Sequence, residues 1–171
     1  MAIERNFYIL KQANGTTLNF SYINGSGIVY RTLKHGEWTK HKIAVKSAKR
    51  NFSVAQLQND DIYILYEDLE GNILLNTFGK KEASVAQILK NQEGLQGIYM
   101  CAIGVQDKLH IFYTTKNVKN GTSMIYHHEM DKLMNLTQSN IVGSINYDYI
   151  LPFVLYPTKG GNLYIVYQRF T

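Results

Sequence analysis

The chain has 171 residues, with 18 Lys and Arg against 13 Asp and Glu, a formal net charge of +5, one Cys, two Pro and 13 Tyr. That length fits one domain with its own core, and 45% hydrophobic residues exclude a disordered polar chain. No apolar run reaches bilayer length, Met1-Ala2-Ile3-Glu4-Arg5 carries no apolar leader, and the lone Cys101 can form neither an intrachain disulfide nor a zinc site; a cytoplasmic location is the default expectation.

Short apolar stretches separated by turn residues follow from the start. Phe7 to Leu10 leads into Asn14-Gly15, a favoured hairpin turn. Leu18-Asn19-Phe20-Ser21-Tyr22 then alternates as a strand does, Asn24-Gly25 turns the chain again, and Ile28 to Thr32 is the return strand. Residues 34–50 concentrate positive charge in Lys34, Lys40, Lys42, Lys46, Lys49 and Arg50, with only Glu37 opposing. This stretch reads either as an anion-binding patch or as an exposed edge strand guarded by lysines, and the second reading is favoured. Nucleic acid is not the favoured partner, because arginine is scarce: Arg5, Arg31, Arg50 and Arg169.

Phe52 to Leu57, the turn Asn59-Asp60-Asp61, Ile62 to Tyr66, a turn at Gly71 and a strand from Ile73 follow. Val85 to Leu89 has no helix cap and is predicted as a strand. Ile98 to Val105, Gln106-Asp107, Leu109 to Tyr113, a turn at Gly121 and a strand from Met124 repeat the theme, as do Phe153 to Tyr156, Gly160-Gly161 and Leu163 to Tyr167.

Four of these segments share a pattern: Leu18–Tyr22, Ile62–Tyr66, Leu109–Tyr113 and Leu163–Tyr167 each place an aliphatic first, an aliphatic or Phe third and Tyr fifth. The tyrosines recur at spacings of 44, 47 and 54 residues, the length of a four-stranded propeller blade. A sheet that small cannot bury both faces alone, and radial stacking would cover each sheet with its neighbours. The consecutive apolar residues Ile64-Leu65, Ile111-Phe112 and Ile165-Val166 suit a strand buried on both faces. The expected fold is therefore all-β: a single domain over 1–171 of antiparallel four-stranded blade repeats of a β-propeller, with repeats near 1–50, 51–96, 97–145 and an incomplete 146–171. An irregular β-sandwich or barrel is the competing architecture. The incomplete last repeat implies either an excised piece of a larger propeller or several copies completing a ring.

The run Asp107-Lys108-Leu109-His110-Ile111-Phe112-Tyr113, a Gly turn and Met124-Ile125-Tyr126-His127 resembles a blade of the sialidase-like and fucose-lectin-like β-propellers. So does Gly27-Ile28-Val29-Tyr30-Arg31 followed by Gly36-Glu37-Trp38. The resemblance implies a propeller and carbohydrate recognition. Only the first repeat keeps the Trp, and Asp68-Leu69-Glu70-Gly71-Asn72-Ile73 only hints at the aspartate-box turn of sialidases.

Catalytic residues are not expected. A sialidase would present an arginine cluster and a Tyr–Glu pair, whereas these arginines are scattered, and Asp60, Asp61, Glu67, Asp68 and Glu70 fall in or beside turns. His127-His128 are adjacent on a strand and so point to opposite faces, which disfavours a shared metal; His110, in an apolar strand, reads as a core histidine, and Cys101 as a small hydrophobe. No cofactor or metal is expected. The expected function is a non-catalytic binding module, lectin-like, with Trp38 stacking on a sugar while Arg31 and Glu67 bond its hydroxyls. The alternative is a protein-interaction scaffold that uses the sheet faces or the basic 34–50 edge.

Overall fold

A computed structural model describes residues 7–80, 84–93, 95–145 and 152–168, with the backbone alone for 95–98. Arg5, Arg169 and the start of the fourth repeat at 146–151 lie outside the described residues. The structure is all-β. The first sheet contains β1 (Phe7–Lys11), β2 (Thr17–Ile23), β3 (Gly27–Lys34) and β4 (Glu37–Trp38), with β5 (Lys42–Val45) also pairing β3. The second contains β6 (Ala48–Gln56), β7 (Ile62–Asp68), β8 (Ile73–Phe78) and β9 (Val85–Leu89). The third contains β10 (Leu95–Val105), β11 (Lys108–Asn117), β12 (Ser123–Met130) and β13 (Leu136–Ile145). A fourth, two-stranded sheet pairs β14 (Phe153–Pro157) with β15 (Leu163–Tyr167). Strands neighbouring in sequence within a sheet pair antiparallel, except that β4 and β5 both pair with β3, and none of the sheets is closed.

Turn chemistry sets this pattern. Asn24-Gly25 closes β2 onto β3, with Ser26 N–H donating to the Ile23 carbonyl at 3.0 Å and Gly25 at φ 81°, a conformation that costs glycine little. Asp68 Oδ1 accepts from the backbone N–H groups of Glu70 and Asn72, and Asp131 Oδ1 accepts from those of Leu133 and Asn135, so the same carboxylate-capped turn joins β7 to β8 and β12 to β13.

The sheets pack face to face in chain order. Leu18, Phe20 and Ile28 of the first meet Val54, Ile62 and Ile64 of the second. Tyr63, Leu65 and Leu75 on the other face of the second meet Met100, Leu109 and Ile111 of the third. Phe112 and Ile125, on the third sheet's opposite face, meet Phe153, Leu155 and Ile165 of the fourth. The second and third sheets are thus buried on both faces, which explains the consecutive apolar residues of β7 and β11. Each fully buried side chain of this size contributes about 1.5–3 kcal/mol.

One feature of the repeat differs from the sequence expectation. Equivalent closing bonds, Gln12 N–H to Thr16 O, Leu57 N–H to Asp61 O and Thr158 N–H to Asn162 O, each 2.9 Å, align Thr17–Ser21 rather than Leu18–Tyr22 with Ile62–Tyr66 and Leu163–Tyr167. The side-chain period of a strand is two, so this one-residue offset reverses the face. Leu18 and Phe20 point forward to the second sheet, whereas Ile62 and Ile64 point back to the first. The first sheet's outer face therefore carries Thr17, Asn19 and Ser21 on β2.

Candidate functional site

The first strand of each sheet pairs on one side only, so β1, β6, β10 and β14 each keep a free edge. These edges approach one another, and side chains of one strand satisfy backbone groups of the next. Tyr8 Oη donates to the Phe52 carbonyl at 3.1 Å, Gln56 Nε2 to the Lys11 carbonyl at 3.3 Å, and the Ala102 N–H to the buried Ser53 Oγ at 3.0 Å. Gly104 makes the closest approach: an added methyl there would run into the Gln56 carbonyl oxygen.

Two cavities follow these four strands. Midway along them lies one of about 240 Å³, lined by Tyr8, Ser53, Tyr99, Cys101, Phe153 and their neighbours. At the C-terminal ends of β6, β10 and β14 a wider one of about 530 Å³ opens as a mouth. Its apolar wall is Leu57, Val105 and Pro157; its polar lining is Gln56, Gln58, Gln106, Thr158 and Lys159. Gln56 is fixed by Asp60 Oδ1 at 2.6 Å, and Asp60 Oδ2 accepts from the Ala13 N–H at 2.9 Å, so one carboxylate ties two hairpin tips together. Asp60 and Gln106, at the hairpin tips beside the mouth, hold φ of 66° and 56°. Left-handed backbone at a residue with a side chain costs free energy and is held by its surroundings.

The residues singled out from sequence are placed as follows. The Arg31 guanidinium lies 4.9 Å from the Trp38 ring centroid and Arg31 Nε donates to Asn19 Oδ1 at 3.1 Å, so these two meet on the outer face of the first sheet. Glu67 does not join them. It shares the face of Tyr63 and Leu65 on the second sheet, where its Oε1 accepts from Lys49 Nζ at 2.7 Å. The guanidinium occupies one face of the Trp38 ring. Lys34, Lys40, Lys42 and Lys46 are exposed around β4 and β5, which pair with β3 at the outer edge of the first sheet, while Arg50 is exposed and Lys49 half-buried on β6 of the second sheet.

A histidine cluster occupies the third sheet. His110 Nδ1 and His127 Nε2 are 3.0 Å apart, and Glu129 Oε2 lies 4.0 Å from His110. Glu129 is held below the usual carboxylate range, chiefly by its hydrogen bond from Lys108 at 2.6 Å, with Thr137 adding to it against the effect of burial. On the opposite face His128 Nε2 meets Tyr113 Oη at 3.1 Å. Burial lowers His128, and burial with the neighbouring Tyr126 pushes Tyr113 up to about 12.

Neither the mouth nor the His110–His127 pair stands out in the sequence. The signal for the first is a polar residue just beyond the first apolar stretch of each later repeat: Gln58, Gln106 and Thr158. For the second it is the strand register, which sets Phe112 opposite His127 and so brings His110 and His127 to one face. Among the described residues no helix is long and apolar enough to cross a membrane. Comparison with protein-family models and with curated proteins finds no match to this chain.

Proposed function

We propose that the four sheets are successive blades of a β-propeller arc, and that the chain is a non-catalytic binding module taking a carbohydrate at the mouth where β6, β10 and β14 end. The observation that carries this reading is the lining of that mouth. Its volume of about 530 Å³ lies in the range of small-ligand sites. Carboxamides both donate and accept, as sugar hydroxyls require, and Leu57, Val105 and Pro157 offer an apolar wall to ring C–H groups. The strained Asp60 and Gln106 backbones at its rim are the kind of cost that persists where position matters. Carboxylates that could serve hydrolysis are engaged elsewhere: Asp68 in its turn, Glu67 with Lys49 and Glu129 with Lys108.

A glycan screen followed by calorimetric titration tests the proposal. Gln106→Asn retains a residue that tolerates positive φ but shortens its reach, and it should weaken a bound sugar by about tenfold, the worth of one well-placed hydrogen bond. Trp38→Ala should leave that affinity unchanged. The opposite result would move the site to the Arg31–Trp38 face, and no saturable sugar binding at all would end the carbohydrate reading.

The exposed basic rim around β4 and β5 favours a second reading, a scaffold that docks an acidic protein partner. Binding of that kind would weaken steeply with salt and be insensitive to free sugar.

A further inference from the structure

The cavity of about 240 Å³ midway along the first strands shares no lining residue with the mouth. None of the described residues that line it carries a charge, and the carboxamides that mark the mouth are absent from it. Tyr8 reaches it from β1 and Tyr99 from β10, while Val54 of β6 and Leu155 of β14 add apolar wall. Each tyrosine already packs edge to face with a phenylalanine, Tyr8 with Phe52 at a centroid distance of 5.3 Å and Tyr99 with Phe153 at 5.1 Å. The two phenylalanines are buried, whereas both tyrosines are half-buried and keep part of their surface exposed. Tyr8 Oη donates its one proton to the Phe52 carbonyl at 3.1 Å, so toward any further group it can only accept.

From this lining we infer that the cavity is a second binding site, which takes the aromatic ring of a small uncharged molecule bearing one hydrogen-bond donor, of the phenol or indole class. Size limits the ligand to one such group. A cavity of about 150 Å³ is enough for benzene, so about 240 Å³ holds one aromatic group with its polar substituent. Geometry selects the ring. Aromatic side chains favour edge-to-face contact, and a ligand ring extends the two pairs already formed by Tyr8 and Tyr99. The absence of charge from the lining selects a neutral molecule, because an ion would lose its hydration and meet no counter-charge. Tyr8 Oη then accepts the ligand's O–H or N–H. The inner edges of the sheets thus carry two sites of different chemistry, a carboxamide-lined mouth at the strand ends and an aromatic recess midway along.

Phenol is the probe, titrated into the wild-type protein while backbone amides are followed by NMR. The amides of Val54, Ala102 and Leu155, at the cavity, should shift saturably, and those of Gln58 and Gln106, at the mouth, should change little. Cyclohexanol keeps the size and the hydroxyl but has no aromatic ring, and it should bind about tenfold more weakly. Tyr8→Phe keeps the ring and loses the acceptor; with its amide spectrum showing the fold retained, it should bind phenol about tenfold more weakly than wild type. Shifts that do not saturate within the solubility of phenol overturn the inference. So do shifts centred on the mouth, cyclohexanol that binds as tightly as phenol, or a folded Tyr8→Phe of unchanged affinity. Sugar binding at the mouth is read separately through Gln106→Asn, so the failure of either site is distinguishable from that of the other.

Discussion

The Nδ1 of His110 and the Nε2 of His127 face each other at 3.0 Å, with ring planes within 9° of parallel, and His127 stacks in turn on Phe112 at a centroid distance of 4.3 Å. Two facing imidazole nitrogens share one proton; two protonated rings repel. Burial lowers the pKa of His110 although Glu129 opposes it, and burial, followed by the charge of His110, lowers that of His127 from 6.5 to about 4. In the unfolded chain both titrate near 6.5. The folded state is therefore at no disadvantage above pH 6.5, and below it loses stability as the unfolded chain takes up protons that the pair refuses, down to about pH 4. The urea midpoint should fall across that window, and His127→Gln should flatten the fall. Equal slopes in the two proteins would remove the pair as the cause. The turn carboxylates act in a separate window. For Asp68 burial acts upward but is outweighed by hydrogen bonds from Asn72, Glu70 and Gly71, and Asp131 is lowered mainly by Asn135. Their stabilisation is present above the ordinary carboxylate value of 3.8 and is lost as pH falls through their lowered folded values.

Gly104→Ala should destabilise the protein by about 1–3 kcal/mol, the cost of overpacking a close contact. The methyl would meet the Gln56 carbonyl and the Leu57 side chain, so β10 must draw back from β6. Urea unfolding checks this. A neutral substitution would mean that β6 and β10 do not need this close approach.

Ser53→Ala leaves the buried Ala102 N–H without its acceptor. The expected cost is about 1–3 kcal/mol, the penalty for an orphaned buried donor. Hydrogen exchange at Ala102 should quicken by more than the global loss of stability accounts for. Unchanged protection there would show that a water can replace the hydroxyl.

Phe112→Ala removes the ring that touches both His127 and Phe153, the latter at a centroid distance of 5.7 Å. A loss of about 3–5 kcal/mol is expected. Amides of β14 and β15 should lose protection first, because Phe112 is part of what anchors the fourth sheet. Uniform loss over all four sheets would contradict the layered packing.

The strands were legible where burial is two-sided or strictly alternating. Ile62 to Tyr66 and Leu109 to Tyr113 read as strands because neighbours above and below demand apolar residues at every position. Val85 to Leu89, short and uncapped, was readable as β9 for want of any helical stop or start. The first repeat was legible as a strand but not in its facing: Leu18, Phe20 and Tyr22 imitate the later pattern one residue out of step, and only the closing bond from Gln12 to Thr16 sets the phase. The candidate site was harder. Gln58, Gln106 and Thr158 look like ordinary turn residues until three hairpins are brought together. Arg31 and Trp38 do meet, but Glu67 is separated from them by sheet and by face, a fact that depends on which sheet follows which.

Because the core clusters among the described residues each join sheets next to one another in chain order, cooperativity here is that of a short row of coupled units rather than of one indivisible core. A newly made sheet finds its docking surface already folded, since that surface was synthesised just before it. Assembly on the ribosome can therefore proceed from the N-terminus without waiting for distant sequence. Each addition hides the apolar face left by the one before and exposes a new one at the most recent sheet.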